Sequence, residues 1–385
     1  MSGIYLHIPF CLSKCAYCGF YSVPSVKRKA EVLEALKKEM VVRKDYLHGE
    51  PVGTIYFGGG TPSLLKVEEI GELLHLIKQH FEIAPDPEIT LEANPDTLSL
   101  EYLNGLRALG VNRLSIGIQS FFDNDLKYLS RRHNSEHALQ CLQWAKEAGF
   151  SNLNIDLIYG LPTSDADQWS RNLDRFLELD LPHLSAYALT LEPNSILTKL
   201  IEQGKTLPVN EDDAVRDYHI LCQKMAQAGY LHYEISNFCR PGYTSKHNTS
   251  YWFGTPYLGL GPSAHSYDGK SRQWNSELGI RNAECGIQNY WAENPIPNSE
   301  FRILNSEILS PEQQYDEYIM LRLRTMWGVD LKYIKREMGE RFASHCERQA
   351  EPLIAQGRLS RTREFLYLND EQMLFADGIA EALFW

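Results

Sequence analysis

The sequence predicts an α/β protein built on an open, partial (β/α)6 barrel, followed by a smaller α+β domain. The first observation is that short apolar segments alternate about six times with amphipathic segments between residues 4 and 189. This alternation is typical of parallel strands joined by crossover helices. The second is that it breaks near residue 190, too early for a closed eight-unit barrel. The third is a helix-rich stretch over 311–385 that ends in a predicted hairpin.

The barrel elements follow from hydrophobic periodicity. The predicted strands are 4–8, 52–57, 89–92, 113–118, 153–157 and 183–189. The predicted helices between them are 26–44, 67–77, 100–109, 123–130, 135–148 and 168–179. In the first helix, Val32, Leu36 and Met40 share one face and charged residues occupy the other, which indicates an amphipathic helix against a core. Polar residues at the strand ends are therefore expected to converge on one mouth of the barrel.

The rest of the chain is less regular. We expect a connector with a short helix over 192–208, a long helix over 211–229 and a strand over 233–238. Residues 246–267 are rich in glycine, proline and aromatic residues, which favours a structured, ligand-facing loop. The last part predicts helices at 314–325, 331–338 and 344–356 and a hairpin at 358–368, similar to a winged helix. With a boundary in the Pro/Asn-rich stretch at 294–300, the predicted domains are 1–240, 241–300 and 301–385.

Composition excludes several classes of protein. The net charge of −12 argues against nucleic-acid binding, because phosphate recognition needs clustered Lys and Arg. No apolar run is long enough for a membrane span, and the eight cysteines suit a reducing compartment. We therefore expect a cytoplasmic protein, for which peripheral association with a membrane partner stays open.

Three cysteines form a C-x3-C-x2-C run after the first predicted strand: Cys11, Cys15 and Cys18. Pro9 ends that strand, so the run lies on a loop at its carboxyl end. Structural zinc needs four protein ligands, usually as two separated pairs, and no second pair follows. Three thiolates suit a [4Fe–4S] cluster with one open iron. The alternative, buried structural cysteines, is disfavoured by the polar Ser13 and Lys14 and the turn-like Gly19.

The run and its flanks resemble the radical S-adenosylmethionine (SAM) superfamily. Tyr5, His7, Pro9 and Phe10 before the cysteines resemble one branch, the oxygen-independent coproporphyrinogen III oxidase family with its haem-chaperone relatives. The strings FGGGTPS, LEANP, GIQSF and HNTSYW support the same branch. The oxidases of that family carry a further cysteine two residues after the third, where this chain has Phe20. This departure favours the haem chaperones over the oxidases.

The resemblance implies two cofactors at the mouth of the barrel. One is the [4Fe–4S] cluster on the three cysteines, and the other is SAM, whose cleavage by the reduced cluster is the chemistry of the superfamily. The residues implied in SAM binding are Tyr5, Gly59, Gly60, Thr61, Glu92, Gln119, Arg131 and Asp156. Individually these residues are more often turn, capping or solvated residues, and Arg132 competes with Arg131. Tyr17 is expected to pack against SAM, and His7 fits either a hydrogen-bond donor or a structural histidine.

The resemblance also implies a haem site at His247, in the HNTSYW string. A histidine can be an axial haem ligand and aromatic residues can face a macrocycle, although a lone histidine is more often structural. His265 is a weaker second candidate. The implied function is delivery of haem to membrane cytochromes of the respiratory chain, with an electron donor for the cluster. The alternatives are oxidative decarboxylation of coproporphyrinogen III and, more weakly, a radical SAM enzyme on RNA.

Overall fold

The computed structural model describes residues 1–193, 195–277 and 303–385. The predicted boundary stretch at 294–300 lies outside the described residues. In the described part of the chain, no helix combines the length and the apolar character needed to cross a membrane.

Six parallel strands form the centre of the main sheet, in the order of the chain. They are β1 (Ser2–Ile8), β2 (Val52–Gly59), β3 (Ile83–Ala93), β4 (Arg113–Gln119), β5 (Asn152–Tyr159) and β6 (His183–Ala188). The register pairs Tyr5 with Tyr56 between β1 and β2, and Asp156 with Ser185 between β5 and β6. The predicted (β/α)6 alternation is therefore confirmed, with β1 to β5 longer than predicted and β6 one residue shorter.

Helices connect these strands on the outer face of the sheet. They are α1 (Lys29–Val42), α2 (Val67–His80), α3 (Leu100–Ala108), α4 (Asp123–Tyr128), α5 (Ser135–Glu147) and α6 (Ala166–Glu178), with 3-10 turns at Pro62–Leu64 and Pro95–Thr97. The predicted face of α1 is buried, since Val32, Leu36 and Met40 have no exposed surface. They join the outward apolar side chains of the strands, such as Ile55 and Ile116, in one continuous core.

The main sheet extends well beyond the six strands. After α7 (Ile196–Glu202) and α8 (Glu211–Gln227), the chain adds β7 (Leu231–Glu234) and β8 (Asn237–Cys239) beside β6. The expectation of a single strand over 233–238 was wrong, because β7 and β8 form an antiparallel hairpin. Past β8 the chain crosses to the opposite edge of the sheet and pairs with β1.

The expectation of a loop over 246–267 was also wrong. This segment forms α9 (Lys246–Trp252), β9 (Tyr257–Leu260) and β10 (His265–Tyr267), followed by β11 (Ser271–Asn275) and β12 (Ile303–Ile308). Strand β9 runs parallel to β1, and β10 to β12 continue the sheet antiparallel. The physical reason is that β1 would otherwise be an exposed edge of the sheet. Pairing with β9 covers this edge and leaves Leu258 and Leu260 buried.

The C-terminal part is helical with a small antiparallel sheet. Its helices are α10 (Pro311–Leu323), α11 (Leu331–Tyr333), a π-turn at Ile334–Met338, α12 (Glu340–Ala355), α13 (Asp370–Met373) and α14 (Ala376–Glu381). Its strands, in spatial order, are β13 (Val329–Asp330), β15 (Phe365–Tyr367) and β14 (Ser360–Arg361). The predicted helices and hairpin are present, while β13 and the two short last helices have no counterpart in the prediction.

Candidate functional site

A cavity of about 390 Å³ lies at the carboxyl ends of the six parallel strands. It brings together most of the residues singled out in the sequence: Cys11, Cys15, Cys18, Gly59, Gly60, Thr61, Glu92, Gln119, Arg131 and Asp156. Tyr17 and Phe20 line it as well. Tyr5 does not, because its ring lies one strand level deeper and contributes to a neighbouring cavity of about 240 Å³ with His7 and His265.

The cysteine loop is tied down at both ends by backbone hydrogen bonds. Cys11 N–H donates to the Val23 carbonyl (3.0 Å), and Val23 N–H donates to the Pro9 carbonyl (2.7 Å). In the middle of the loop, Ala16 N–H donates to Leu129, beyond α4, and the Ala16 carbonyl accepts from Leu197 in α7. The loop is therefore fixed to three separate parts of the chain, which limits the positions available to its thiols.

The three thiols have surroundings that suit a metal cluster. All three are free and partly exposed towards the cavity. Thr61 Oγ1 donates to Cys11 Sγ (3.5 Å), and Arg131 Nη1 donates to Cys15 Sγ (3.3 Å). Burial raises the pKa of the Cys18 thiol, and the charges of Cys15 and Cys11 raise it further. Thiolates repel one another, so a cationic group held between them would favour their ionised form, and an iron cluster would provide one.

The glycine turn after β2 is held against the cysteine loop. A Cβ atom on Gly60 would lie 2.7 Å from the Phe10 carbonyl oxygen and 2.9 Å from the Pro9 carbonyl carbon. Gly59 has a φ of +108°, and its Cβ would lie 2.8 Å from the His7 ring. Both positions therefore require glycine, and the turn presents backbone groups to the cavity without side chains in the way.

Two carboxylates face the same cavity from neighbouring levels of the barrel. Glu92 accepts hydrogen bonds from the Tyr56 hydroxyl (2.8 Å) and from Gly59 N–H (3.1 Å). Asp156 accepts from Asn154 Nδ2 (2.8 Å). Burial raises the pKa of Asp156, and burial together with the Asp156 charge raises the pKa of Glu92 to about 7. A cationic ligand in the cavity would favour the ionised form of both carboxylates.

The raised pKa of Glu92 gives a pH dependence that can be measured without a ligand. A folded-state pKa of about 7, above the ordinary 4.5, means that the folded protein binds this proton more tightly than the unfolded chain. The contribution to stability is therefore largest below about pH 4.5 and is lost as the pH rises through about 7. We expect Glu92→Gln to stabilise the SAM-free protein more at about pH 8 than at about pH 5.

Urea unfolding at the two pH values checks this, with the exposed Glu101→Gln as control. An equal effect of Glu92→Gln at both pH values would contradict the raised pKa.

Arg131 holds several parts of the site together. Its Nη2 donates to Asn94 Oδ1 (2.5 Å) and to the Gly117 carbonyl (2.7 Å), while Nη1 reaches Cys15. Arg132, the competing residue, points away and pairs with Asp96 (3.1 Å) at a site where its side chain is half-exposed. The structure thus brings Arg131 into the cavity and assigns Arg132 to the surface.

Several residues that line or shape the cavity were not among the site residues predicted from the sequence. Asn94 donates to Thr61 Oγ1 (3.0 Å) and accepts from Arg131. Gly117 leaves the space that these groups occupy, because its Cβ would lie 2.8 Å from Gln119 Nε2. Tyr187 lines the far side from the end of β6. The LEANP string could have indicated Asn94, because it lies two positions after Glu92. Gly117 and Tyr187, in contrast, look like ordinary strand residues in the sequence.

His247 lies in the barrel interior rather than on a loop. Its N–H and that of Lys246 both donate to the Glu88 carboxylate in β3, which fixes the start of α9 (3.1 Å and 3.0 Å). The ring stacks on Tyr56 at 4.9 Å and is buried, with 1% exposed. Nδ1 is hydrogen-bonded to Thr54 Oγ1 (2.8 Å).

The second ring nitrogen of His247 is also engaged. Nε2 is hydrogen-bonded to the Tyr251 hydroxyl (2.7 Å), one turn along α9. Burial lowers the pKa of His247 to about 3, so the imidazole is neutral at physiological pH. A neutral imidazole can coordinate iron, but in this conformation a tyrosine hydroxyl occupies the position that a metal would take. His265, the second candidate, is exposed and stacks on Trp274 at 6.0 Å.

Comparison with known proteins shows which family the chain belongs to. The family model of the radical SAM superfamily matches residues 5–176, and that of the HemN C-terminal domain matches residues 309–375. The haem chaperone HemW of Mycobacterium tuberculosis is 34% identical over 385 residues, covering 99% of this chain and 94% of the relative. HemW of Bacillus subtilis is 33% identical, with 98% of both chains covered.

The chain belongs to the haem chaperone HemW family. Membership of the radical SAM superfamily implies a [4Fe–4S] cluster and SAM as cofactors. The solved structure of coproporphyrinogen III oxidase HemN from Escherichia coli, described as a radical SAM enzyme, is similar to this fold. It gives a TM-score of 0.80 and 26% identity, and the match covers 99% of this chain and 89% of HemN.

The residues of this HemW family member fit the implied cofactors. The cysteine loop supplies three thiols, and Thr61 and Arg131 donate hydrogen bonds to two of their sulfur atoms. The cavity beside them offers backbone groups at the glycine turn and two carboxylates for a cationic ligand. When bound, such a cluster would supply the electron for reductive cleavage of SAM, the chemistry of the superfamily. This chain's own residues orient the ligand and exclude water around it.

Proposed function

We propose that this protein is a haem chaperone that binds haem and delivers it to membrane cytochromes of the respiratory chain. In this proposal the cluster is held by the three cysteines, and SAM is held in the adjacent cavity by the residues that line it. Tyr5 supports that site from one strand level below. An electron donor reduces the cluster, and no nucleic acid takes part. The support is the relationship to proteins named as haem chaperones, together with the chemistry of Phe20.

Phe20 carries the distinction between the two functions of the family. It occupies the position where the oxidases have their further cysteine, and 75% of its surface is exposed at the edge of the cluster cavity. A phenyl ring offers no thiol for hydrogen-atom or metal chemistry. We therefore propose that conversion of coproporphyrinogen III is absent. The similarity to HemN at a TM-score of 0.80 is the observation that keeps oxidase activity as the second candidate.

The proposed role of His247 as haem ligand requires a side-chain movement. Its Nε2 becomes available to iron when the Tyr251 hydroxyl leaves the hydrogen bond between them. The neutral state of the imidazole, which its burial enforces, is the state that coordinates iron. Tyr251 therefore competes with iron for Nε2.

This competition predicts different effects of two substitutions on haemin binding. We expect His247→Ala to change the Soret spectrum of the haemin complex and weaken binding about tenfold or more, because the axial ligand is lost. We expect Tyr251→Phe to keep the spectrum and not to weaken binding, because it removes the competing hydroxyl. Anaerobic haemin titration of the cluster-loaded protein measures both, with the exposed His75→Ala as control. A wild-type spectrum in His247→Ala would remove His247 as ligand.

Incubation of the same preparation with coproporphyrinogen III, SAM and reductant tests the second candidate. Formation of protoporphyrinogen would overturn the chaperone proposal in favour of the oxidase.

A further inference from the structure

A large aromatic cavity of about 360 Å³ lies between α9, the β9–β10 hairpin and the C-terminal domain. We propose that this cavity is the seat of the haem, with Arg272 as the partner of a haem propionate. The inference rests on the proposed haem-binding function and adds the location and the polar anchor of the ligand. None of the cluster cysteines lines this cavity, and neither do the residues around the glycine turn.

The first argument is the shape and chemistry of the lining. Seven aromatic residues contribute to it, from both sides of the cleft: Tyr251, Trp252, Phe253, Tyr257, Tyr267, Tyr318 and Tyr333. Ligand cavities of a few hundred Å³ with mainly aromatic walls and a few polar groups are typical of sites for flat organic molecules. A porphyrin is such a molecule, and it gains most from walls that present ring faces and edges.

The second argument is that the rings are already ordered from both sides. On the C-terminal domain, Tyr333 stacks on Tyr318 with ring centres 4.7 Å apart and planes 18° apart. On the barrel, Tyr251 and Tyr257 pack edge to face at 4.6 Å. Because these rings are held by one another, little side-chain entropy would be lost when a planar ligand enters between the two pairs.

The third argument is the charge at the wall of the cavity. Arg272 in β11 forms an ion pair with Glu317 in α10, and both line the cavity. Burial raises the pKa of Glu317, which means that its surroundings disfavour the ionised form of this carboxylate. A propionate is a carboxylate too, and the Arg272 guanidinium can bind it with two parallel hydrogen bonds.

The fourth argument is the connection to His247. The Tyr251 side chain lines the cavity and its hydroxyl is bonded to His247 Nε2, so one side chain separates the histidine from the cavity. Met338 lines the same cavity, and methionine, tyrosine and histidine are all known axial ligands of haem iron. A macrocycle in this cavity would therefore lie next to His247 and would leave the SAM site free.

Two substitutions test the proposal: one fills the cavity, and the other removes a positive charge from its wall. Leu321 lies on α10 and lines the cavity, so Leu321→Trp adds bulk there. Arg272→Gln keeps the size of the side chain roughly and removes its charge. We expect each variant to weaken haemin binding about tenfold or more in anaerobic titrations of the cluster-loaded protein. Haemin dimethyl ester, whose propionates carry no charge, should bind equally to Arg272→Gln and to the wild type.

Matched controls are Leu207→Trp and Arg171→Gln, at exposed positions away from the cavity. Thermal unfolding monitors whether each variant folds. If both cavity variants bind haemin as the wild type does while His247→Ala does not, the cavity is not the seat, and the proposed function survives. If the dimethyl ester loses as much affinity as haemin in Arg272→Gln, Arg272 is not the partner of a propionate. If the wild type itself binds no haemin, the proposed function fails and this inference with it.

Discussion

Replacing Cys15 with serine is expected to abolish the iron–sulfur cluster. The iron and sulfide content after anaerobic reconstitution should fall below about one tenth of the wild-type value, because the thiolate is the ligand that such clusters require. Cys15 also lies 3.3 Å from Arg131 Nη1, so the substitution removes the sulfur that this guanidinium contacts. Without the cluster, the EPR signal of the reduced protein and its change on addition of SAM should both be absent.

The matched control is Cys141→Ser. Cys141 is buried in α5 and donates from Sγ to the Ala138 carbonyl (3.2 Å), a hydrogen bond that a serine hydroxyl can replace. We expect this variant to keep the full iron content and the SAM-dependent EPR change. If Cys15→Ser assembled as much cluster as Cys141→Ser, the three-cysteine site would be wrong.

The sequence was informative where each functional residue lies at the end of a strand or in the loop that directly follows it. Carboxyl ends of parallel strands meet at one edge of a barrel, so placing Glu92, Gln119 and Asp156 at strand ends was enough to predict that they line one cavity. The same reasoning placed the glycine turn next to the cysteine loop. Short local patterns sufficed because each strand and its loop are consecutive in the chain.

The sequence was uninformative where a contact joins distant segments. Strand β9 has four residues, and its partner β1 lies more than 250 positions earlier, so no local pattern reveals the pairing. His247 looked like a loop residue for the same reason. Its burial depends on Thr54 and Tyr56 in β2, which the string HNTSYW does not contain. The aromatic residues of this region pack between elements and were mistaken for the mark of a loop.

A single added methyl group at Gly60 is expected to disrupt the site nearly as strongly as loss of a cysteine. In Gly60→Ala the new Cβ would meet the backbone of Pro9 and Phe10 at less than 3.0 Å. Backbone atoms cannot rotate away as a side chain can, so either the glycine turn or the cysteine loop must move. We expect a destabilisation of about 1–3 kcal/mol, which is typical of overpacking, and a large loss of SAM affinity.

Gly378→Ala separates this effect from the general consequences of replacing a glycine. Gly378 lies in α14, and outside its chain neighbours and the backbone of its own helix no atom lies within 4 Å of the position that its Cβ would take. Since alanine favours a helix over glycine by roughly 1 kcal/mol, this variant should be as stable as the wild type or more stable, with unchanged SAM binding. Urea unfolding and SAM titration followed by EPR provide the two readouts. Displacement of either the glycine turn or the cysteine loop moves groups that line the cavity, so SAM affinity should fall. Wild-type SAM affinity in Gly60→Ala would therefore show that the turn is not held against the cysteine loop.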